Sequence, residues 1–334
     1  MTGEGAIRIV LSMGDPCGVG PELCLKAMRS PRLPADAALT VVGSLELLGE
    51  EARALGVRPA LRAVPEAEQR AGGGAVIDMG RVDLPRPLPR SATAEGGRAS
   101  LEYIERAVQE TLGGRADALV TCPISKEAIG AAGSPYPGHT EMLGALTGCE
   151  RPVMLLVSGG LRVAFATTHI ALKDVPGALT AKGVAYTGSV LARALKEQFG
   201  IREPRVAVCA LNPHAGDGGR FGDEEPRLLE GAVARLKAEG VDASGPHPAD
   251  TLFARALAGR YDGVVALYHD QGMIAIKLSG VGGVVNVTLA LPIIRTSPGH
   301  GTAYDIAGRG IADEASLMAA IELAAGMAGR RTQI

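Results

Sequence analysis

Apolar residues fall into short runs separated by amphipathic stretches. The first run, Ile7, Ile9, Val10 and Leu11 in MTGEGAIRIVLSMGD, predicts an opening strand. ALTVVGS (38–44) reads as a buried strand, and ASLEYIERAVQETLGG as an amphipathic helix stopped by Gly113 and Gly114. ADALVTCP gives another strand, and SKEAIGAAG begins a helix with Ser125 as candidate N-cap. LRVAFATTH, a helix over about 181–199, PRVAVCALNPH, a helix over about 223–239 and YDGVVALYHD continue the alternation. Strands separated by helices predict an α/β fold with a largely parallel sheet. A charged, Pro-rich stretch over about 63–95, centred on VDLPRPLPR, reads as irregular or peripheral. No internal repeat and no clear linker divide the chain.

Composition narrows the partners. A formal net charge of −2 over 334 residues, with no basic run, argues against nucleic acid or an anionic membrane surface. The length admits one large or two medium domains. No apolar stretch approaches the roughly 20 residues that span a bilayer. The N-terminus has no basic region ahead of a long apolar core, so it does not read as a signal peptide, and a cytoplasmic location is expected. Cys17, Cys24, Cys122, Cys149 and Cys209 are scattered without paired metal spacing and read as small buried hydrophobes in a reducing compartment. Trp is absent and aromatics are scarce, which leaves little for a base-stacking platform.

Three of the predicted strands finish at histidine: ATTH at His169, ALNPH at His214 and ALYHD at His269. Open α/β sheets bind ligands outside the carboxyl ends of their strands. Three imidazoles placed there are candidates for one divalent metal, against the alternative that each is a hydrogen-bonded surface residue. Asp270, beside His269, and Asp250 in PHPADTLF are candidates to add oxygen ligands or to orient an imidazole. His139 in YPGHTE suits either a polar ligand or an ordinary helix cap. His247 in GPHPAD reads as loop surface.

Glycine-rich turns and isolated polar residues supply further candidates. MGDPCGVGPEL (13–23) follows the first strand and precedes a helix, where backbone N–H groups favour an anion, but a generic strand-to-helix turn explains it as well. It is not a G-x-G-x-x-G fingerprint. NPHAGDGGRFGDEE (212–225) reads as a polar turn, with Asp223 as candidate cap of the next helix. Lys277, Asn286 and Arg295 stand in otherwise apolar surroundings, which is costly unless each is paired or faces a cleft. Brought together they would bind a phosphate or carboxylate; a buried salt bridge is the competing explanation.

GDPCGVGPE, PGHTE, TTHIAL, LNPHAGDGGRFGDEE, PADTLF, YHDQG, VNVTLALPIIRTS and HGTAYDIAGRG follow one another along nearly the whole chain. In this order they resemble the 4-hydroxythreonine-4-phosphate dehydrogenase (PdxA) family, within the wider isocitrate/isopropylmalate dehydrogenase-like fold. The resemblance implies two α/β domains with a cleft between them. Residues 1–125 plus 288–334 would form the cofactor side, and 126–287 the metal, substrate and dimerisation side. It implies that His300 to Ile306 run along the adenosine side of NAD or NADP, with Gly301, Thr302, Ala303, Asp305 and Ile306 as contacts. His169, His214 and His269 match metal ligands for zinc, magnesium or cobalt at a homodimer interface, with the partner subunit's His269 completing the set. His139, Thr140, Lys277, Asn286 and Arg295 match substrate-binding positions, and Asp250 and Asp270 polar residues near the metal. Lys277, Asp250 and Asp270 are candidates for proton transfer. The implied reaction is oxidation of the C3 hydroxyl of 4-phosphohydroxy-L-threonine, then decarboxylation to 3-amino-2-oxopropyl phosphate in pyridoxal phosphate biosynthesis.

One position departs from this pattern. Many members carry Asp immediately before the loop histidine, where this chain has Gly299. Gly299 resembles a branch that oxidises aromatic cis-dihydrodiols, whereas GHTE, Asn286 and Arg295 favour a phosphorylated substrate. MGDP, YPGHTE and RFGDEE fit a branch acting on 4-phospho-D-threonate or 4-phospho-D-erythronate equally well. Outside the dehydrogenases, a metal-dependent phosphatase would use similar histidines and aspartates without needing HGTAYDIAGRG. A non-catalytic metabolite sensor would tolerate loss of the metal-type histidines, all three of which are present.

Overall fold

The computed structural model describes residues 5–279 and 283–331. Twelve strands run through them: β1 Ile7–Ser12, β2 Ala37–Gly43, β3 Arg62–Ala63, β4 Gly72–Asp78, β5 Ala118–Thr121, β6 Val153–Ser158, β7 Leu161–Phe165, β8 Arg205–Cys209, β9 Asp242–His247, β10 Gly263–Ala266, β11 Val285–Leu289 and β12 Ile294–Pro298. The chain divides into two units. The first runs up to Pro152 and resumes at Leu291; the second is Val153–Ala290.

In the first unit the strand order is β3-β4-β2-β1-β5-β12, and every pairing is parallel. All of β2 and β5 is buried, which is why these strands read as unbroken apolar runs rather than as alternation. The helix Ala94–Leu112 buries Ala99, Tyr103, Ile104, Ala107 and Val108 at helical spacing. It starts where the Thr93 side chain accepts from Gly96 N and ends at Gly113. Helices Lys126–Ala131 and His139–Thr147 belong to this unit too. Ser125 caps the former, accepting from Ala128 N at 3.2 Å. Gly97 lets it pack closely, since a Cβ there would lie 2.0 Å from Ala128 O. The stretch over 63–95 is more ordered than its composition predicts. It contributes β4, whose buried residues Ala75, Val76 and Ile77 pair with β2 after three glycines that obscure the strand in the sequence.

The second unit orders its strands β11-β6-β7-β10-β8-β9. Strands β7, β10, β8 and β9 are mutually parallel, while β6 runs antiparallel to both β7 and β11. A two-residue turn at Gly159 and Gly160 joins β6 to β7, with Ser158 opposite Leu161. The helix predicted over 223–239 is a π turn, Glu225–Leu229, running into Glu230–Ala238. Asp223 does not cap it; its carboxylate accepts from Arg227 Nε at 3.2 Å. His247 is not loop surface. It ends β9 half-buried, with Nε2 2.9 Å from Ser244 Oγ and 3.3 Å from Tyr261 Oη, and burial lowers its pKa.

Candidate active site

In the first unit a basic corner forms around β12. Arg295 is 1% exposed, yet its Nη2 donates to Thr121 Oγ1 at 2.6 Å, at the end of β5. Burial pulls the guanidinium pKa down to about 9. His139 opens the helix His139–Thr147, with Thr140 half-buried in the same first turn. Burial, and then the charge of Arg295, hold its pKa well below the usual histidine range, so the ring is neutral at pH 7. The Nε2 atom of His139 is shut off from solvent and has no hydrogen-bond partner. A buried cation, a neutral imidazole and a hydroxyl at adjoining strand and helix ends have the chemistry to receive an anion.

The segment after β12 rests on the glycine-rich turn after β1, which the sequence alone presents as generic. Val19 N donates to Thr302 O at 2.9 Å, and a Cβ on Gly18 would lie 2.8 Å from that oxygen. Tyr304 Oη donates to Asp15 Oδ2 at 2.6 Å, and Cys17 N donates to Asp15 Oδ1 at 2.8 Å. Asp15 is fully buried, and burial raises its pKa against the pull of those two bonds. The Cys17 thiol is pushed up to about 11, by burial and then by the charge of Asp15. Further along, buried Glu22 accepts from Gly310 N at 3.0 Å and Ala312 N at 2.8 Å. Lys26 pairs with Glu22 at 3.0 Å and donates to the Gly310 and Ala312 carbonyls. Asp305 and Gly301 are left exposed on the segment so pinned, while Ala303 takes a left-handed φ of 44°. Asp15, Glu22 and Tyr304, which support this candidate segment, were not singled out by sequence reasoning, although GDPCGVGPE and HGTAYDIAGRG contain them.

In the second unit the three histidines follow three adjacent parallel strands at one sheet edge. His169 lies four residues past β7, His269 three past β10 and His214 five past β8. None is the last residue of its strand; His269 is the first residue of the helix His269–Ser279. Pairing continues beyond β7 and β10, since Ala166 N donates to Ala266 O at 2.9 Å and Thr167 Oγ1 to Leu267 O at 2.7 Å. The exits of β10 and β8 are tied by Gln271, which accepts from Leu267 N and donates to Ala210 O. The His169 and His269 rings consequently face each other, centroids 5.6 Å apart. His269 Nδ1 is 2.6 Å from Asp270 Oδ1, which leaves Nε2 available to a metal in the usual carboxylate–imidazole arrangement. His214 opens a run of left-handed residues, His214 to Gly218. Buried Glu225 supports that turn by accepting from Leu211 N and from the backbone and side-chain amides of Asn212. Burial raises the Glu225 pKa, but these bonds outweigh it and hold the carboxyl below its usual range. Among the described residues no group of three His, Cys, Asp or Glu stands close enough to hold a metal ion, so His214 is not brought to the other two within one chain.

The other candidates in this unit are less gathered. Lys277 does not sit in buried apolar surroundings: it is exposed on the helix His269–Ser279, near Ile274 and Leu278, which are themselves exposed. Asp250, in the first turn of the helix Ala249–Leu257, and Asp270 are exposed as well. Asn286 on β11 is half-buried, and its Oδ1 is buried without a hydrogen-bond partner.

Parallel strands with polar groups collected past their carboxyl ends are the arrangement of a ligand-binding α/β protein. Comparison with known proteins then fixes its kind. Residues 35–324 match the family model described as pyridoxal phosphate biosynthetic protein PdxA. The 4-hydroxythreonine-4-phosphate dehydrogenase of Caulobacter vibrioides is 45% identical over 332 residues, covering 97% of this chain and 98% of that protein. A Bradyrhizobium diazoefficiens relative, provisionally named D-threonate 4-phosphate dehydrogenase, is 42% identical over 332 residues and covers 95% of each. The crystal structure of 4-hydroxythreonine-4-phosphate dehydrogenase from Klebsiella pneumoniae superposes with a TM-score of 0.88 at 40% identity, covering 97% of this chain and all of that one. The chain belongs to the PdxA family, whose dehydrogenase members imply a nicotinamide cofactor. No helix among the described residues is long and apolar enough to cross a membrane.

Proposed function

We propose that the protein is a metal-dependent, NAD-linked dehydrogenase that oxidises the C3 hydroxyl of 4-phosphohydroxy-L-threonine. Decarboxylation then gives 3-amino-2-oxopropyl phosphate, in the cytoplasm, toward pyridoxal phosphate. The observation that carries this reading is the buried Arg295 beside neutral His139, with Thr121 and the helix N-terminus at Thr140. This set suits a phosphate or carboxylate held away from water. In the second unit Asn286, with its buried Oδ1 lacking a donor, suits a hydroxyl or amine.

The nicotinamide dinucleotide lies along His300 to Ile306, with Gly301, Thr302, Ala303, Asp305 and Ile306 as contacts. Exposed Asp305 suits a ribose 2′-hydroxyl and repels a 2′-phosphate, which favours NAD over NADP. His169, His214 and His269 would hold one divalent ion, zinc, magnesium or cobalt. Imidazoles are common ligands for such ions, and the Asp270 carboxylate on Nδ1 of His269 fits that role in donor chemistry. When bound, such an ion supplies Lewis-acid polarisation of a hydroxyl or carbonyl oxygen. The set would be completed in a homodimer, by the partner subunit's His269. Exposed Ile170, Leu172, Phe221, Ile274 and Leu278, on the segments that carry these histidines, support such an interface. Lys277, Asp250 and Asp270, each exposed on a helix, are the candidates to move the hydroxyl proton.

The Bradyrhizobium relative supports 4-phospho-D-threonate as the second reading. The test offers each phosphorylated substrate to the protein with NAD and, in turn, zinc, magnesium or cobalt, reading NADH and free phosphate together. NADH with the L-amino substrate supports the proposal. Preference for the D-acid transfers it to the second reading. Phosphate release without NADH would overturn the dehydrogenase assignment in favour of a phosphatase.

A further inference from the structure

Between the candidate cofactor contacts Ala303 and Asp305, Tyr304 turns its phenol away to fully buried Asp15. The two residues are 289 positions apart, and each oxygen of the carboxylate has its own donor, Tyr304 Oη at 2.6 Å and Cys17 N at 2.8 Å. The flanking backbone is unfavourable without support: Ala303 holds φ at 44°, a region costly for any residue with a Cβ. Nearby, Val19 N holds Thr302 O, and Glu22 and Lys26 hold the backbone at Gly310 and Ala312. Glu22 and Lys26 act beyond the contact residues, and the Val19 bond acts before Ala303. The bond from Tyr304 to Asp15 falls inside the contact stretch itself, where the phenol also meets the Ser125 and Thr302 side chains.

We propose that Asp15 and Tyr304 form a latch that presets the cofactor loop, making them positioning residues for the nicotinamide dinucleotide. The inference rests on the reading that His300 to Ile306 hold that cofactor. A loop already in its binding conformation loses nothing to rearrangement, whereas an unlatched loop binds more weakly in proportion to the time it spends elsewhere. The Asp15 carboxylate accepts both bonds in its ionised form, and burial alone would favour the neutral acid. The tyrosine and the Cys17 amide hold the acceptor in place, and the acceptor in turn holds the loop.

The experiment compares full-length Tyr304→Phe, Asp15→Asn, Asp15→Ala and Asp305→Ala with the wild type. It measures the NAD dissociation constant by titration, KM for the phosphorylated substrate, kcat at saturating NAD, and Tm. Tyr304→Phe, which removes one oxygen, is expected to weaken NAD about ten-fold, the loss of one hydrogen bond to a charged group. It leaves substrate KM and saturated kcat within about two-fold. Asp15→Ala matches it, and Asp15→Asn, which can still pair with the phenol and the Cys17 amide, is milder. If Asp305→Ala weakens NAD while Tyr304→Phe does not, the latch is wrong and the loop assignment stands. If neither weakens NAD, the loop assignment falls and the latch with it. A Tyr304→Phe protein with lower Tm and equal losses toward NAD and substrate has a structural bond only, which also overturns the proposal.

Discussion

Arg295→Met separates the cost of the anion receptor from its use. The guanidinium is 1% exposed, and burial lowers its pKa from 12.5 to about 9. That drop corresponds to about 5 kcal/mol against the charged form. The hydrogen bond to Thr121 returns about 2 kcal/mol of it, as bonds to charged groups do. A methionine fills similar volume and needs neither charge nor acceptor, so the variant without ligand is expected to be more stable, by up to about 3 kcal/mol. The sign holds at pH 7: the group is protonated in both folded and unfolded chains below about pH 9, so the full cost is present there. Inorganic phosphate should raise the urea midpoint of the wild type and leave that of the variant unmoved, and KM for the phosphorylated substrate should rise at least about 100-fold. Urea unfolding with and without phosphate, alongside initial rates, reads all three effects. A variant several kcal/mol less stable without anion would show that Arg295 is part of the native packing network. That result, or equal phosphate stabilisation of both proteins, would refute the receptor.

Two further predictions concern stability. His139 has its pKa depressed by burial and then by Arg295, so below pH 6.5 the unfolded chain takes up a proton that the native state refuses. Native stability should therefore fall as pH drops below 6.5, by up to about 1.4 kcal/mol per pH unit from this group, and His139→Asn should remove that share. Equal pH slopes between 5 and 7 for the variant and the wild type in urea unfolding would sink the idea. Ala215 holds φ 57°, ψ 43° within the left-handed turn. Ala215→Gly should raise stability by about 0.5–1 kcal/mol, relief of the left-handed cost less the added chain entropy of glycine; a drop in Tm would show instead that the methyl packs.

The parallel sheets were legible because strands covered on both faces must be apolar at nearly every position, and β2 and β5 are. Strand β4 was not, because three glycines precede its buried half and Pro-rich sequence follows it. The equivalent places of His169, His214 and His269 could be read from the strand ends, and Gly216 and Gly218 allow left-handed backbone after His214; that the run also takes in Ala215 could not be read, since alanine rarely adopts positive φ. Lys277 misled because MIAIKLSG looks like a buried run; it is a helix whose exposed side also carries Ile274 and Leu278. Such a surface carries no polar signature from which its exposure could be inferred. The pairing of Asp15 with Tyr304 was invisible for a different reason. Each lies in a recognisable motif, but nothing local links two residues separated by almost the whole chain.

What links them is strand order. Strands β1, β5 and β12 are adjacent and parallel, so their carboxyl ends open on one edge of the first unit. Past β1 comes the turn with Asp15 and Gly18. At the end of β5 come Thr121 and then Pro123, whose carbonyl accepts from Asp15 N at 3.0 Å. Past β12, which itself carries Arg295, comes the segment with Thr302 and Tyr304. The first and last portions of the chain meet because β5 lies between their strands, and an antiparallel neighbour would have sent one of these segments to the far edge. The second unit uses the same arrangement, with β7, β10 and β8 delivering His169, His269 and His214 to one edge. Apart from Thr121, Asn286 and Arg295, the candidate chemistry-bearing residues lie outside the strands, so the strands can be largely apolar while the residues after them remain polar. That division explains why apolar runs and the polar residues that terminate them were the informative unit of the sequence, more than any single motif.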